Sequence, residues 1–340
     1  MIRPSSLVLA AALGTAALPA RAEVPRVVTD IPVVGAMVQQ VMGDLGQPEI
    51  LLQAGGDPHS YQLRPSQARS LQDADLLIWV GPELTPWLER AVTSFSAQGE
   101  MLALLDLPAT HRRDYAGGEH EHEHEHEHEH EHEHEHEHEH EHEHEHEHEH
   151  DGHGHAEEQA HHDHDHSGTD PHAWLDPANG QAWLAAIAET LSRRDPDNAG
   201  VYAANAAKAA DEITALDEEL KSALTPTQGK RFVVFHDAYG YFTEHYGLEP
   251  AIAVSLGDAS TPSAARLRAI RDEIAEEGAV CAFPEANHDP KLIAAVIEGS
   301  EIRQGAALDP EGTGATPGAG LYAELLRDMG QALADCLGAD

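Results

Sequence analysis

Histidine is the residue type in this sequence with the most obvious capacity for chemistry, because 28 of the 340 residues are histidine. Most of them lie between Glu119 and His166, where the pair Glu-His is repeated sixteen times and is followed by a mixture dominated by Gly, Asp, Glu and His. Imidazole nitrogen is a good ligand for Zn²⁺. The segment therefore predicts several weak, exchangeable metal-binding positions, among them His120, His122, His150, His153, His155, His161, His162, His164 and His166.

The Glu-His repeat has no apolar side chains to bury, so it cannot offset the entropy that is lost on ordering. We predict that residues 114–169 form a disordered insertion within a folded lobe. The insertion also carries much of the formal net charge of −41. A chain this acidic, without a basic patch, attracts cations and is not expected to bind nucleic acid.

Six histidines lie outside the insertion, and three of them share one context. His59 follows a strand candidate, His236 stands at the carboxyl end of an apolar strand candidate, and His172 comes just before a predicted helix. In open α/β sheets, ligands bind in the crevice beyond the carboxyl ends of the strands. Two lobes facing each other could bring these three imidazoles together around one cation. The other three are interpreted as solvated or structural residues: His111, His245 and His288.

Alternating strands and helices must position these residues. Short β-rich runs, each followed by a helical pattern, recur on both sides of the insertion, which favours parallel sheets. We predict an α/β fold of two lobes, at residues 23–194 and 226–340, with mostly parallel sheets flanked by helices. One long backbone helix at residues 195–225 joins them, and Asp195-Pro196 marks its start.

The first residues predict the compartment. Arg3 precedes an uncharged apolar stretch, and Ala20-Arg21-Ala22 is typical of a signal-peptidase site, so residues 1–22 are predicted to be a signal peptide removed before Glu23. Export places the chain in the oxidising periplasm. There the two cysteines, Cys281 and Cys336, are expected to pair, with two unpaired buried thiols as the alternative.

Several short motifs outside the insertion are specific in combination. They are Asp57-Pro58-His59, Asp170-Pro171-His172-Ala173-Trp174-Leu175-Asp176-Pro177, His236-Asp237-Ala238-Tyr239, Cys281-Ala282-Phe283-Pro284-Glu285 and Leu308-Asp309-Pro310. With them the chain resembles the zinc-specific ZnuA-type solute-binding proteins of ABC transporters, in the metal-binding cluster A-I group. The resemblance spans essentially the whole chain after residue 22. It implies two lobes on a rigid helix, one tightly held Zn²⁺ between them, a disulfide Cys281–Cys336, and the ligands His59, His172 and His236.

The fourth ligand is less clearly marked. Some zinc-specific members have a glutamate just before the first histidine, where this chain has Pro58. Asp309 matches the position at which other members place a carboxylate ligand. We favour Asp309 over a water molecule and rank Asp57 below both, while an aspartate before proline is also a common turn residue. Manganese-binding relatives carry a carboxylate where His236 stands, so three imidazoles favour zinc over manganese.

These features predict a periplasmic, non-enzymatic protein that captures Zn²⁺ at one tight site and delivers it to the inner-membrane permease of an ABC transporter. The insertion is expected to scavenge or sense zinc with low affinity. We expect a monomer and consider a periplasmic zinc chaperone as a further partner. Two alternatives remain: a zinc hydrolase with an open water position, and a periplasmic zinc buffer that has no permease.

Overall fold

The computed structural model describes residues 23–94, 99–115, 168–255 and 261–339. The predicted signal peptide and the Glu-His repeat, with the metal-binding positions assigned to it, lie outside the described residues. Among the helices that are described, none combines the length and the apolar character needed to cross a membrane.

The first lobe is built on a four-stranded parallel sheet in the order β2-β1-β3-β4. Its strands are β1 (Val27–Thr29), β2 (Glu49–Ile50), β3 (Leu76–Trp79) and β4 (Glu100–Ala103). The central strands β1 and β3 are buried along their whole length, because helices cover the sheet. The helices of this lobe are α1 (Pro32–Met42), α2 (Pro65–Asp73), α3 (Pro86–Ser94) and α4 (Pro177–Arg194).

The chain then forms helix α5 (Ala199–Leu224) and a second lobe with its own parallel sheet, in the order β6-β5-β7-β8. The strands are β5 (Phe232–His236), β6 (Ile252–Ser255), β7 (Cys281–Ala282) and β8 (Arg303–Gln304). The helices are α6 (Gly240–Tyr246), α7 (Ala264–Glu277), α8 (Lys291–Ile297) and α9 (Leu321–Gly338). The predicted fold class, two α/β lobes with parallel sheets, is therefore confirmed.

Helix α5 is the backbone of the molecule. Its 26 residues span about 39 Å, and it packs on α1 and α4 of the first lobe and on α6 and α9 of the second. Its buried face repeats every three to four residues: Tyr202, Ala206, Ala209, Ile213, Leu216, Leu220 and Leu224. The predicted start at Asp195-Pro196 is a short 3₁₀ turn, Pro196–Asn198, and the α-helix begins at Ala199.

A disulfide joins Cys281 of β7 to Cys336 of α9, with the two Cα atoms 6.2 Å apart. The predicted pairing is confirmed. The bridge fastens the last helix, which packs on α5, to the central part of the second sheet.

The two ends of the insertion are partly described. Asp114 and Thr169 form an isolated antiparallel bridge, and the backbone N–H of Tyr115 donates to the carbonyl of Gly168 at 3.1 Å. Residues 114–115 and 168–169, which the sequence assigns to the insertion, therefore form its paired base on the first lobe.

Candidate metal centre

The three histidines singled out in the sequence converge between the lobes. His236 is the last residue of β5, His172 comes directly before a 3₁₀ turn that leads into α4, and His59 lies in the loop after β2. Their ring centroids are 5.5 Å apart for His59 and His172, 6.1 Å for His59 and His236, and 5.2 Å for His172 and His236. The carboxyl ends of the strands in the two parallel sheets thus face each other, and the three imidazoles lie in the crevice where α/β folds bind ligands.

The spacing of the imidazole nitrogens suits one tetrahedral ion. Nε2 of His172 lies 3.4 Å from Nε2 of His236. Two ligands on a tetrahedral Zn²⁺ with Zn–N bonds of 2.0–2.1 Å are separated by about 3.3 Å. His59, His172, His236 and Glu311 each offer one ligand atom, and these four atoms all lie within 4.8 Å of one another. A modest contraction of this group would complete a tetrahedral site.

Buried carboxylates orient two of the three rings. Nδ1 of His172 lies 2.8 Å from Oδ1 of Asp170, and Nδ1 of His236 lies 2.7 Å from Oε2 of Glu285. An ionised carboxylate only accepts hydrogen bonds, so each Nδ1 carries a proton and each Nε2 faces the centre, where it is the atom available to a metal. Glu285 is held in turn by the hydroxyl of Tyr239, which donates to Oε1 at 2.8 Å.

The fourth group near the imidazoles is Glu311, which the sequence analysis did not consider. Its side chain is only 7% exposed, and Oε1 lies 3.9 Å from Nε2 of His236. Asp309 is not in the group of four. Its carboxylate accepts the backbone N–H groups of Thr313 at 3.1 Å and Gly314 at 2.9 Å, which is the turn-forming role considered as its alternative. Asp309 as a ligand stays a prediction that this geometry does not favour.

Asp57, the lowest-ranked candidate, shapes the loop that carries His59. Its carboxylate accepts the backbone N–H of His59 at 2.8 Å and the hydroxyl of Ser60 at 2.6 Å. The indole N–H of Trp87 donates to the carbonyl of Pro58 at 2.7 Å and fastens the same loop to α3. Asp57 therefore fixes the backbone of His59.

The loop that carries Glu311 is attached on two sides. The indole N–H of Trp174, two residues after His172, donates to the carbonyl of Pro310 at 2.7 Å. The backbone N–H of Gly55, in the loop of His59, donates to the carbonyl of Thr313 at 3.2 Å. Glu311 is thus tied to the two segments of the first lobe that supply His172 and His59.

The buried groups of this centre shift one another's pKa values. Burial alone would lower the pKa of His236, but the charge and hydrogen bond of Glu285 and the charge of Glu311 together raise it to about 9. Burial raises the pKa of Glu311 to about 8, although the positive charge of His236 opposes this. For His172, burial and the neighbouring His236 hold the pKa well below its usual value. Both shifts favour the protonated forms of His236 and Glu311 when no cation is bound, and the charge of each group shifts the pKa of the other.

Binding of the first equivalent of Zn²⁺ should consequently release about two protons at pH 7, because the metal needs Nε2 of His236 and the carboxylate of Glu311 unprotonated. The affinity should therefore rise with pH and level off above about pH 9, where both groups are unprotonated. Calorimetry in buffers of different ionisation enthalpy measures the proton count. Glu311→Gln should reduce the count by about one; a count near zero at pH 7 would contradict this assignment.

The remaining histidines of the described chain lie outside the group of four. His288 stacks on Phe235 with ring centroids 4.0 Å apart, and its Nε2 lies 3.8 Å from Glu285. With His236 and Glu285 it makes a second group that could hold a metal. Nδ1 of His236 is already engaged with Glu285 there, so Glu285 supports the His236 ring, while His288 packs beside this pair against Phe235.

The last two histidines lie away from the centre, near the start of α4. His111 is half exposed, with Nδ1 3.4 Å from Asp176. His245, in the last turn of α6, lies 3.1 Å from Asp176 and 2.7 Å from Asp217. Burial would lower the pKa of His245, but its contacts with these two carboxylates raise it. Both positions match their interpretation as solvated or structural residues.

Comparison with known proteins agrees with this geometry. Residues 27–336 match the family model described as the zinc-uptake complex component A, periplasmic. Over 340 residues, and over all of both chains, the sequence is 94% identical to the high-affinity zinc uptake system protein ZnuA of Paracoccus denitrificans (strain Pd 1222). It is 38% identical to the protein of the same name from Brucella abortus (strain 2308), over 311 residues that cover 92% of this chain and 91% of that protein.

The fold recurs in solved structures. The periplasmic zinc-binding protein TroA from Treponema pallidum aligns with a TM-score of 0.70 at 18% identity, covering 92% of this chain and 99% of that one. At this identity the likeness shows the fold alone. A component of an uptake complex is a transport protein, so the expectation of a non-enzymatic protein is confirmed by the family. The chain belongs to the ZnuA family, the periplasmic component A of zinc-uptake complexes.

Proposed function

We propose that this chain captures one Zn²⁺ between its lobes, with His59, His172, His236 and Glu311 as the four ligands, and delivers it to the inner-membrane permease of an ABC transporter. One observation carries the proposal. Three imidazoles from distant parts of the chain and one buried carboxylate meet at the seam between the lobes. Such a set has no use in packing, because buried polar groups cost free energy unless they are paired or bind an ion.

The donor set favours zinc on chemical grounds. Three nitrogen ligands and one carboxylate oxygen supply the four positions that Zn²⁺ prefers, whereas manganese prefers sites richer in oxygen. Neutral imidazoles and one glutamate also offset only part of the double charge of the metal. The relatives named for high-affinity zinc uptake support the same cargo.

The arrangement does not favour a zinc hydrolase. A catalytic zinc keeps three protein ligands and an open position for water, and Glu311 lies where it would fill the fourth position. Two other buried carboxylates contact the imidazoles and are already engaged. Glu285 is held by His236 and Tyr239, and Asp170 by His172 and Arg113, so neither can act as a general base without giving up these contacts.

Substitution of Glu311 and Asp309 separates the two candidate carboxylates. Glu311→Gln should weaken binding of the first Zn²⁺ about 100-fold at pH 8, since one of four ligands loses its charge. Asp309→Asn keeps one of the two oxygens that separately accept the N–H groups of Thr313 (Oδ1) and Gly314 (Oδ2), and it removes none of the four proposed ligands, so it should weaken zinc binding less than Glu311→Gln does. Competition with a fluorescent zinc chelator measures both. The reverse order of effects would assign the fourth ligand to Asp309.

The same variants test whether the chain delivers zinc to the permease. A strain that lacks its own zinc-binding receptor, but keeps the cognate permease and ATPase, should grow in chelator-treated medium when it carries the wild-type chain or Asp309→Asn. Glu311→Gln should support growth only when more zinc is added. Equal growth with the wild-type chain and with an empty vector, at matched protein levels, would reject delivery to the permease and leave a periplasmic zinc buffer as the better explanation.

We further propose that the Glu-His segment is a low-affinity zinc scavenger. Deleting residues 119–166 should leave one tight site with unchanged affinity and remove the weak equivalents, which calorimetry resolves by stoichiometry. The matched control replaces each histidine of the repeat with glutamine, which retains the length and the acidic charge. Both variants should bind one Zn²⁺; loss of the tight site in either would place its ligands in the segment.

A further inference from the structure

Arg113 lies at the base of the insertion and is largely buried, with 20% of its side chain exposed. Nη1 of its guanidinium lies 2.8 Å from Oδ2 of Asp170. Its backbone carbonyl accepts the N–H of Asp170 at 2.9 Å. Arg113 therefore holds Asp170 through both its side chain and its backbone.

The two oxygens of Asp170 have different partners. Oδ2 faces Arg113, whereas Oδ1 accepts the backbone N–H of His172 at 3.0 Å and lies 2.8 Å from Nδ1 of the same residue. Arg113 thus fixes the plane of the Asp170 carboxylate from one side. On the other side, the carboxylate fixes the orientation of the His172 imidazole. All atoms of Asp170 and His172 are buried, so Arg113, and not solvent, faces Oδ2 of Asp170 in the folded chain.

Arg113 also connects the two lobes. Its backbone N–H donates to the hydroxyl of Tyr241 at 3.0 Å, and that hydroxyl donates to the carbonyl of Asp170 at 2.9 Å. Its Nε lies 3.5 Å from Oε2 of Glu244. Tyr241 and Glu244 belong to α6, which begins four residues after His236. The residue that supports His172 is therefore fixed to the helix that follows His236.

We propose that Arg113 is a positioning residue of the metal centre, which orients His172 through Asp170 and sets its distance from His236 through α6. The inference rests on the ligand set proposed above. Carboxylates that hydrogen-bond a metal-binding histidine fix its orientation and tautomer, and their loss costs metal affinity. Arg113 acts one step further out, on the carboxylate itself.

Gly240 offers a way to move Arg113 without removing any charge. A Cβ atom at Gly240 would lie 1.3 Å from Nη1 of Arg113. Gly240 is the first residue of α6, a position that accepts alanine, so the guanidinium must shift instead of the helix. Gly240→Ala should therefore reproduce the effect of Arg113→Ala through a different residue.

The test measures the affinity of the full mature chain for its first Zn²⁺ by chelator competition, together with the melting temperature of the metal-free protein. Arg113→Ala and Gly240→Ala should each weaken zinc binding about 10- to 100-fold. The double variant should be no weaker than Arg113→Ala, because both changes remove the same contact. Arg112→Ala is the matched control, since Arg112 is an exposed neighbour that contacts Glu83 and Asp106, and its affinity should equal that of the wild type.

Two further readouts separate positioning from a general structural role. In an Asp170→Ala background, Arg113→Ala should weaken zinc binding less than it does in the wild-type chain, because the link through Asp170 is already lost. The visible absorption spectrum of the Co²⁺-loaded protein should change in Arg113→Ala and Gly240→Ala, because the angle between the His172 and His236 ligands changes. Lower melting temperatures with unchanged zinc affinity and an unchanged Co²⁺ spectrum would overturn the inference.

The outcome for His172→Ala distinguishes failure of this inference from failure of the proposed ligand set. If His172→Ala abolishes tight binding while Arg113→Ala and Gly240→Ala do not weaken it, only the positioning role is wrong. If His172→Ala binds zinc as tightly as the wild-type chain, the ligand set itself is wrong, and the role of Arg113 falls with it.

Discussion

His59→Ala should weaken binding of the first Zn²⁺ by two to three orders of magnitude. Four-ligand zinc sites in proteins supply about 10–16 kcal/mol, so one ligand of four contributes about 3–4 kcal/mol, and each 1.4 kcal/mol is a factor of about ten. His59 is the most accessible of the three imidazoles, because it is only partly buried whereas His172 and His236 are fully buried. His172→Ala and His236→Ala would leave the buried carboxylates of Asp170 and Glu285 without the rings that they orient, which would also destabilise the fold.

The backbone of His59 supports this choice of variant. Its N–H donates to Asp57, and alanine retains that hydrogen bond, so the loop should keep its shape. His288→Ala is the matched control, because it removes a second imidazole from the same region but outside the group of four. It should bind zinc within about threefold of the wild-type affinity. Equal losses in the two variants would move the site to the group of His236, Glu285 and His288.

Much of the fold could be predicted because its signals are local. The buried strand β3 is a continuous apolar run, β1 and β5 are apolar up to their last residue, and the long buried face of α5 repeats with the period of a helix. Three elements were not predicted from the sequence: α2, β4 and β8. Strands β4 and β8 lie at the sheet edges and are half exposed or exposed, so their residues show neither an apolar run nor a strict alternation.

The metal centre was predictable only in part, for a related reason. His59, His172 and His236 lie where a strand ends or a helix is about to begin. In an α/β fold such positions lie at the carboxyl edge of the sheet, so their convergence could be expected from topology. Glu311 has no such marker. It lies in a loop rich in Gly and Pro, and its approach to His236 depends on contacts of that loop with Trp174 and Gly55, which are distant in sequence. A glutamate two residues after Asp309 was the available signal.

The partners that orient the rings show the same limit. Asp170 belongs to the motif around His172, but its second contact, Arg113, is 57 residues away along the chain. Glu285 is 49 residues from His236. Such pairs form because the parallel strands β5 and β7 are neighbours in the sheet, and because the base of the insertion is closed by Asp114 and Thr169. Their residue types were visible in the sequence, but their pairing was not.

Removing the disulfide should give the largest loss of stability among single structural changes outside the centre. Cys281 and Cys336 are 55 residues apart, and closing a loop of this length in the unfolded chain is worth about 4 kcal/mol in the chain-entropy model. The double variant Cys281→Ala/Cys336→Ala is the suitable change, because both side chains are buried and alanine leaves no unpaired polar group. Its melting temperature in the metal-free form should fall by roughly 8–16 °C.

Removal of the disulfide should change zinc affinity much less than it changes the free energy of unfolding. This difference separates a role in stability from a role in metal binding. Cys281 begins β7, and Glu285 follows a few residues later, but Glu285 is also held by His236 and Tyr239. We expect the folded double variant to bind its first Zn²⁺ within about threefold of the wild-type affinity, as measured by chelator competition below its melting temperature. Dithiothreitol should lower the melting temperature of the wild-type chain by a similar amount and leave the double variant unchanged. If the double variant melts at the wild-type temperature, the bridge does not stabilise the second lobe, and the packing of α9 on α5 must hold it alone.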